Sequence, residues 1–246
     1  MSFSADSDLS RRERERLMRR RAMLRAAQSV FAEKGYARAT LDEIAERAEF
    51  GKGTLYNYFE GGKDEILFAI FDEIYDDVCS LITETCSREQ VAATSLRDAV
   101  HELVVRAFSF YQEREDLFII LIKEAYRLAF SDDADKAAYF HQKQQRMVDA
   151  LAPAIKAEME AGGIRELPPR AVAHMLLENI DGMVVHRCLA ERRRDAMADA
   201  DTDAGGASAD DCAGPALLHD PEAAADFLVA MLFDGLQTEP DPQPQT

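Results

Sequence analysis

The residues best suited to chemistry stand together in GKGTLYNYFEGGKDEI, residues 51–66. Lys52, Gly53 and Thr54 open a short helical stretch, where backbone N–H groups and the positive end of the helix dipole meet an anion. Gly53 lets a phosphate approach the backbone. The hydroxyls of Tyr56 and Tyr58 can donate to phosphate oxygens, and Asn57 between them has the paired donor and acceptor that read a base edge. This is the chemistry of holding a nucleic acid. Residues two apart on a helix diverge by about 200°, so Tyr56 and Tyr58 cannot share one face, and one of them is expected to pack on the scaffold.

Other chemistries find little support. Cys79, Cys86, Cys188 and Cys212 lack any C-x-x-C or C-x-x-H spacing, and His101, His141, His174, His186 and His219 lack H-E-x-x-H. Neither a metal site nor a disulfide framework is expected, and the thiols read as buried and free. No G-x-S-x-G, P-loop or G-x-G-x-x-G occurs, and acidic residues are too common for one pair to stand out as an acid/base couple. The expectation is a protein with no catalytic residue, no metal and no cofactor.

The elements that position residues 51–66 are helices. With 47% hydrophobic residues, no Trp, and Ala, Leu, Glu and Arg throughout, the 246-residue chain reads as all-α. From about Arg11 to Lys34, Leu24, Ala27, Val30 and Phe31 recur at helical spacing, and Gly35 supplies a left-handed stop. Thr40 and Glu43 form a capping box for a short second helix with Ile44, Ala45 and Ala48 on its inner face. Gly51 caps a third, with Leu55 and Phe59 inward. The glycines of EGG then break the chain before a long helix from Lys63 through Ile66, Leu67, Ile70, Phe71 and Ile74, with no Pro or Gly before Cys86. Helices two and three make a helix-turn-helix.

Charge is unevenly shared. Residues 1–67 hold 13 basic against 12 acidic residues, leaving 16 basic against 34 acidic for the rest of a chain whose net charge is -17. Inside the head, RRERERLMRRRAMLR at 11–25 sets eight arginines against two glutamates, a footprint suited to a polyanion, though a charge run is more commonly a solvated helix face. The acidic remainder repels phosphate, so DNA must be met by the head.

Residues 27–71, AQSVFAEKGYARATLDEIAERAEFGKGTLYNYFEGGKDEILFAIF, resemble the DNA-binding head of the TetR (tetracycline repressor-like) family. The resemblance implies a homodimeric transcriptional regulator, usually a repressor, whose third helix enters the major groove of operator DNA and whose body binds a small inducer. It places DNA contacts at Thr40, Lys52, Gly53, Thr54, Tyr56, Asn57, Tyr58 and Lys63. Two departures stand out: Glu49-Phe50-Gly51 where the family prefers Gly-Val-Ser, and the extra glycine in EGGK.

The expected organisation is a disordered N-terminus at 1–10, a helix-turn-helix head at 11–62, a helical effector-binding and dimerisation body at 63–237 with a flexible acidic loop at about 195–220, and a disordered tail at 238–246. Periodic segments lie near 92–112, 115–130, 134–161, 169–193 and 221–236. The last two carry more apolar surface than an acidic exterior tolerates. By family analogy they form a four-helix dimer interface; otherwise they pack internally. An effector pocket is sought among Phe108, Tyr111, Phe118, Leu121, Ile122, Tyr126, Met147, Leu151, Met175, Asn179 and Met183, since ligand sites are mostly apolar with a few orienting groups. The effector is expected to be small and apolar or amphipathic. The longest greasy run, LFIILI, is far shorter than a membrane span, and the N-terminus lacks the apolar run of a signal peptide, so a cytoplasmic protein is expected. The competing readings are a helical adaptor that keeps a helix-turn-helix shape without binding DNA, and an enzyme in the helical body.

Overall fold

The structure, a computed structural model, describes residues 10–200 and 220–235, the side chains of 192–200 excepted. The expected disordered tail, most of the N-terminus, most of the acidic loop, Cys212 and His219 therefore lie outside the described residues. Among those described there are ten α-helices and no strand: α1 (Arg11–Lys34), α2 (Leu41–Arg47), α3 (Lys52–Tyr56), α4 (Gly62–Thr85), α5 (Arg88–Ala93), α6 (Leu96–Gln112), α7 (Glu115–Ala129), α8 (Ala134–Glu160), α9 (Pro169–Ala200) and α10 (Pro221–Val229). A π-helical turn, Ala230–Asp234, continues α10 and ends at Gly235, which has a φ of 77°.

Local chemistry sets the boundaries. Ser10 and Glu13 close a capping box at the start of α1, and Gly35 ends it with a φ of 76°. Thr40 and Glu43 do the same for α2 as expected: the Thr40 hydroxyl accepts from the Glu43 N–H at 3.3 Å and the Glu43 carboxylate accepts from the Thr40 N–H at 3.1 Å. Gly62, buried and at a φ of 69°, turns the chain into α4 one residue before the expected start. The expected segment at 92–112 is two helices. Ser95 accepts from the Asp98 N–H at 3.0 Å and starts α6 afresh, because a side chain that caps a new helix competes with continuation of the old one. The acidic loop begins later than expected, since α9 stays helical to Ala200.

The chain divides into two compact units, residues 1–77 with 114–140, and residues 78–113 with 141–246. The first is larger than the head expected at 11–62. Its core joins Met23, Val30 and Phe31 of α1, Ile44 of α2, Leu55 of α3 and Ile66, Ile70 and Phe71 of α4 to Leu117, Leu121 and Leu128 of α7 and Phe140 of α8. Leu121, sought in an effector pocket, is thus part of the core under the helix-turn-helix. Truncating a fully buried member such as Phe31 is expected to cost about 3–5 kcal/mol.

In the second unit α10 packs along α6. Ala224, Ala225, Leu228 and Val229 are buried, and Arg97 of α6 makes a bidentate pair with Asp234 of the π-helical turn, at 2.6 and 2.8 Å. That face of α10 is filled within its own chain. Phe227 and Leu232 remain exposed.

Candidate nucleic-acid interface

The helix-turn-helix is held to α1 by ion pairs as well as by its core. Arg47, in the last turn of α2, donates to Ser29 Oγ and to Glu33 Oε2 of α1, both at 2.7 Å. Lys34 pairs with Glu43, and that contact is the first cause that holds the Glu43 carboxyl below its ordinary range. The turn between α2 and α3 passes through Glu49 at a φ of 60°, the one non-glycine described in the left-handed region. The Phe50 N–H then returns to the Ala45 carbonyl at 2.9 Å. Such a turn accommodates Gly without strain, which gives the family's preferred glycine a physical meaning and makes Glu49 a costly choice.

The recognition helix follows from its own pattern. On α3 and its helical C-cap, Leu55 turns into the core, while Lys52, Gly53, Tyr56 and Asn57 stand exposed. At 100° per residue those four fall within an arc of about 140°, opposite Leu55. Four residues expected to meet DNA therefore share one open face. Gly51 caps α3 without any side-chain hydrogen bond, as its lack of a side chain requires. Nothing lies within 4 Å of where a Cβ at Gly53 would project, so the space above this turn is open.

The two tyrosines separate as their spacing demands. Tyr56 is 41% exposed, whereas Tyr58 is half-buried against the core with the guanidinium of Arg16 over its ring at 5.8 Å. Tyr58 is therefore in good part a packing residue. Lys52 is not a lone charge: its ammonium lies 2.8 Å from Asp42 of α2, and that carboxylate holds it protonated above its ordinary range. Thr40 is exposed, and its hydroxyl hydrogen stays available while the oxygen caps α2.

Lys63 behaves differently from the others. Its ammonium donates to the carbonyls of Tyr36, Ala37 and Ala39, at 2.8, 3.3 and 3.0 Å. These three bonds use all its donors on the α1–α2 loop, so its visible role is to hold that loop against the start of α4. Asp64 next to it accepts the hydroxyl of Tyr36.

Residues 23–70 match the family described as bacterial regulatory proteins, tetR family. The helix-turn-helix is thus similar to a tetR-family head. The HTH-type transcriptional regulator YhgD of Bacillus subtilis is 25% identical over 165 residues, 65% of this chain and 79% of its own. The HTH-type transcriptional activator FasR of Mycolicibacterium smegmatis is 32% identical over 120 residues, 47% of each chain. Among solved structures, a transcriptional regulator FadR from Bacillus subtilis, in complex with stearoyl-CoA, superposes with a TM-score of 0.62 at 19% identity over 88% of this chain and 99% of its own. The fold of that regulator thus extends through most of the chain, well beyond the matched residues.

The residues sought for an effector pocket do not gather on one helix face. Phe118, Leu121, Ile122 and Tyr126 belong to the first unit, the rest to the second. Phe108 and Leu151 are fully buried, and Tyr111, Met147, Asn179 and Met183 are half-buried. Met175 and Tyr126 stand more than half exposed and face outward. Asn179 turns its amide back to the Met175 carbonyl at 2.7 Å. Among the described residues no group of three His, Cys, Asp or Glu side chains is placed to hold a metal ion, and no helix is long and apolar enough to cross a membrane. The described cysteines, Cys79, Cys86 and Cys188, are free and buried.

Proposed function

We propose that this chain is a ligand-responsive, DNA-binding transcriptional regulator acting as a homodimer, with its head at residues 11–62 and its effector-binding body at 63–237. What carries the reading is the open arc of Lys52, Gly53, Tyr56 and Asn57 on a short helix whose opposite side, Leu55, is locked into the core. A rigidly held helix with a polar, phosphate-seeking face is what a major groove admits. In this reading Thr40, Lys52, Gly53, Thr54, Tyr56 and Tyr58 position the head on phosphates, and Asn57 reads a base edge. Lys63 shapes the loop beside them.

The effector is a small apolar or amphipathic molecule. The stearoyl-CoA held by the FadR structure supports an amphipathic class, and the half-buried Tyr111, Met147 and Met183 offer apolar surface. α4 runs unbroken from Gly62 to Thr85. Regulation takes the form of repression released by ligand. A reporter driven by the bound promoter reads the sign directly, since activation would lower expression when the gene is deleted.

The test of DNA binding is selection of duplexes from a randomised library by the purified protein, repeated with Asn57→Ala. Wild type is expected to enrich one two-fold symmetric sequence, and the variant a broader set. Failure of wild type to enrich any duplex, or an unchanged preference in the variant, would overturn respectively the DNA-binding reading or the role of Asn57.

A further inference from the structure

The apolar stripe of α1 does not end where the core ends. Met23, Ala27 and Val30 are buried along one line of the helix. Followed toward the N-terminus at the same steps of three and four, that line passes through Arg19, Arg16 and Arg12, all exposed. At 100° per residue these six positions lie within one narrow stripe. The side of α1 that faces the head therefore becomes a row of guanidinium groups once the head's core runs out.

We propose that Arg12, Arg16 and Arg19 form a second DNA-contacting surface, a phosphate ridge beside the groove that α3 enters. It rests on the DNA-binding reading above.

Four observations support it. First, the ridge lies against the recognition hairpin: Arg16 sits over the ring of Tyr58 at 5.8 Å, and its neighbour Arg20 over Phe59 at 5.3 Å. A guanidinium stacked on a ring keeps its in-plane N–H donors available for phosphate. Second, the acidic residues of this half of the helix are already engaged. Glu13 caps Ser10 and Glu15 pairs with Arg11 at 3.0 Å. Among the described residues no carboxylate pairs with Arg12, Arg16 or Arg19. Third, the first half of α1 buries no residue, Met23 being the first, so apart from the stacking of Arg16 and Arg20 on the rings of Tyr58 and Phe59 its arginines are not held by core packing. Fourth, Arg12 to Arg19 spans about 10 Å of helix, which matches roughly three base-pair rises along one DNA strand. The body, with its excess of acid, offers DNA no comparable surface.

The contacts are to the backbone and so add affinity without sequence preference. The probe is the duplex that wild type selects, set beside a scrambled duplex of the same composition. Each arginine that neutralises one phosphate contributes about 0.9 to the slope of log affinity against log salt. The triple variant Arg12→Gln, Arg16→Gln, Arg19→Gln is expected to lower that slope by about 2.7 per head. The wild-type advantage should grow about eightfold per arginine as salt falls from about 1 M to about 0.1 M. The loss should be equal on both duplexes, and the matching triple Arg→Lys variant should keep the wild-type slope. Should the triple Gln variant melt early, Arg12→Gln alone, at an exposed position, is expected to lower the slope by about 0.9. A wild-type slope in the Gln variants, or a loss confined to the selected duplex, overturns the ridge. If wild type selects no duplex, the failure belongs to the DNA-binding reading itself.

Discussion

Lys63 lies with its ammonium 4.5 Å above the ring of Tyr36 while donating to that same residue's carbonyl at 2.8 Å. One side chain thereby joins the first turn of α4 to the loop that presents α2. Replacing it with Met keeps the apolar stem and removes three charge-assisted bonds, two of them, to Tyr36 and Ala39, part-buried. The expected loss is about 2 kcal/mol, or roughly 4–8 °C in Tm for a chain of this size. Thermal melting reads the stability and a salt titration reads the DNA contact. A Lys63→Met protein with wild-type Tm and a slope lower by about 0.9 would make Lys63 a phosphate ligand instead.

Lys52 faces a choice between Asp42 and DNA. The pair is exposed, so it contributes little to the fold and competes for the charge that a phosphate would use. Lys52→Ala should lower the salt slope by about 0.9 and leave melting unchanged. Asp42→Asn should tighten DNA binding at low salt, because it removes both the competitor and a negative charge beside the interface. Weaker binding in Asp42→Asn would show that the carboxylate orients Lys52 rather than competing for it.

Glu49 occupies a left-handed conformation at a φ of 60°. Glycine there relieves strain of about 1–2 kcal/mol and gives back part of it through greater freedom in the unfolded chain. Glu49→Gly is expected to stabilise the protein by about 0.5–1 kcal/mol. Removal of its charge should strengthen DNA binding as well. Chemical denaturation checks the first effect and a gel shift the second, with Glu49→Asn as an intermediate case. A destabilised Glu49→Gly would mean that the side chain makes a contact worth more than the backbone strain.

Tyr36 titrates above its ordinary value, first because it is buried and then because its hydroxyl donates to Asp64. A raised pKa means that the folded state holds the proton more tightly. The resulting stability is full below the unfolded value of about 10 and is lost as pH rises from there toward the folded value. Tyr139, half-buried and donating to Asp72 at 2.9 Å, acts with the same sign. Urea denaturation at rising alkaline pH should show stability falling beyond about pH 10, with a shallower fall in Tyr36→Phe. Equal slopes in the two proteins would remove Tyr36 from this linkage.

The faces of α10 should separate folding from assembly. Leu228 is buried in its own chain, so Leu228→Ala should cost about 2–5 kcal/mol in any oligomeric state. Phe227 of α10 and Leu189 of α9 are exposed, at 49% and 54%. The pair Phe227→Glu with Leu189→Glu should leave a folded monomer that binds DNA weakly, since one head offers half the contacts. Sedimentation decides between outcomes: a double variant that remains dimeric places the interface elsewhere.

Much of this protein was legible in the residues alone, for reasons that are local. Capping at Thr40 and Glu43, the stop at Gly35 and the break at EGG act within a few residues, so the helix-turn-helix and its recognition helix follow directly from their order. The divergence of Tyr56 and Tyr58 is likewise a property of helical pitch. Other features depend on contacts between residues distant in sequence, and only tertiary structure decided them. Lys63 looks like a phosphate ligand until the carbonyls of Tyr36, Ala37 and Ala39 are seen to surround it. The partnership of Lys52 with Asp42 spans two helices. α7 shares its core with the head, because Leu117, Leu121 and Leu128 bury apolar area wherever a complementary surface is offered, and that surface is supplied by α1 and by Ile66, Ile70 and Phe71 of α4, far earlier in the chain. Arg12, Arg16 and Arg19 read as an ordinary solvated charge run until the core they extend is shown to end at Met23. Periodicity and capping are short-range and written in order along the chain, whereas the partner of a charge is set by which helices the burial of apolar surface brings together.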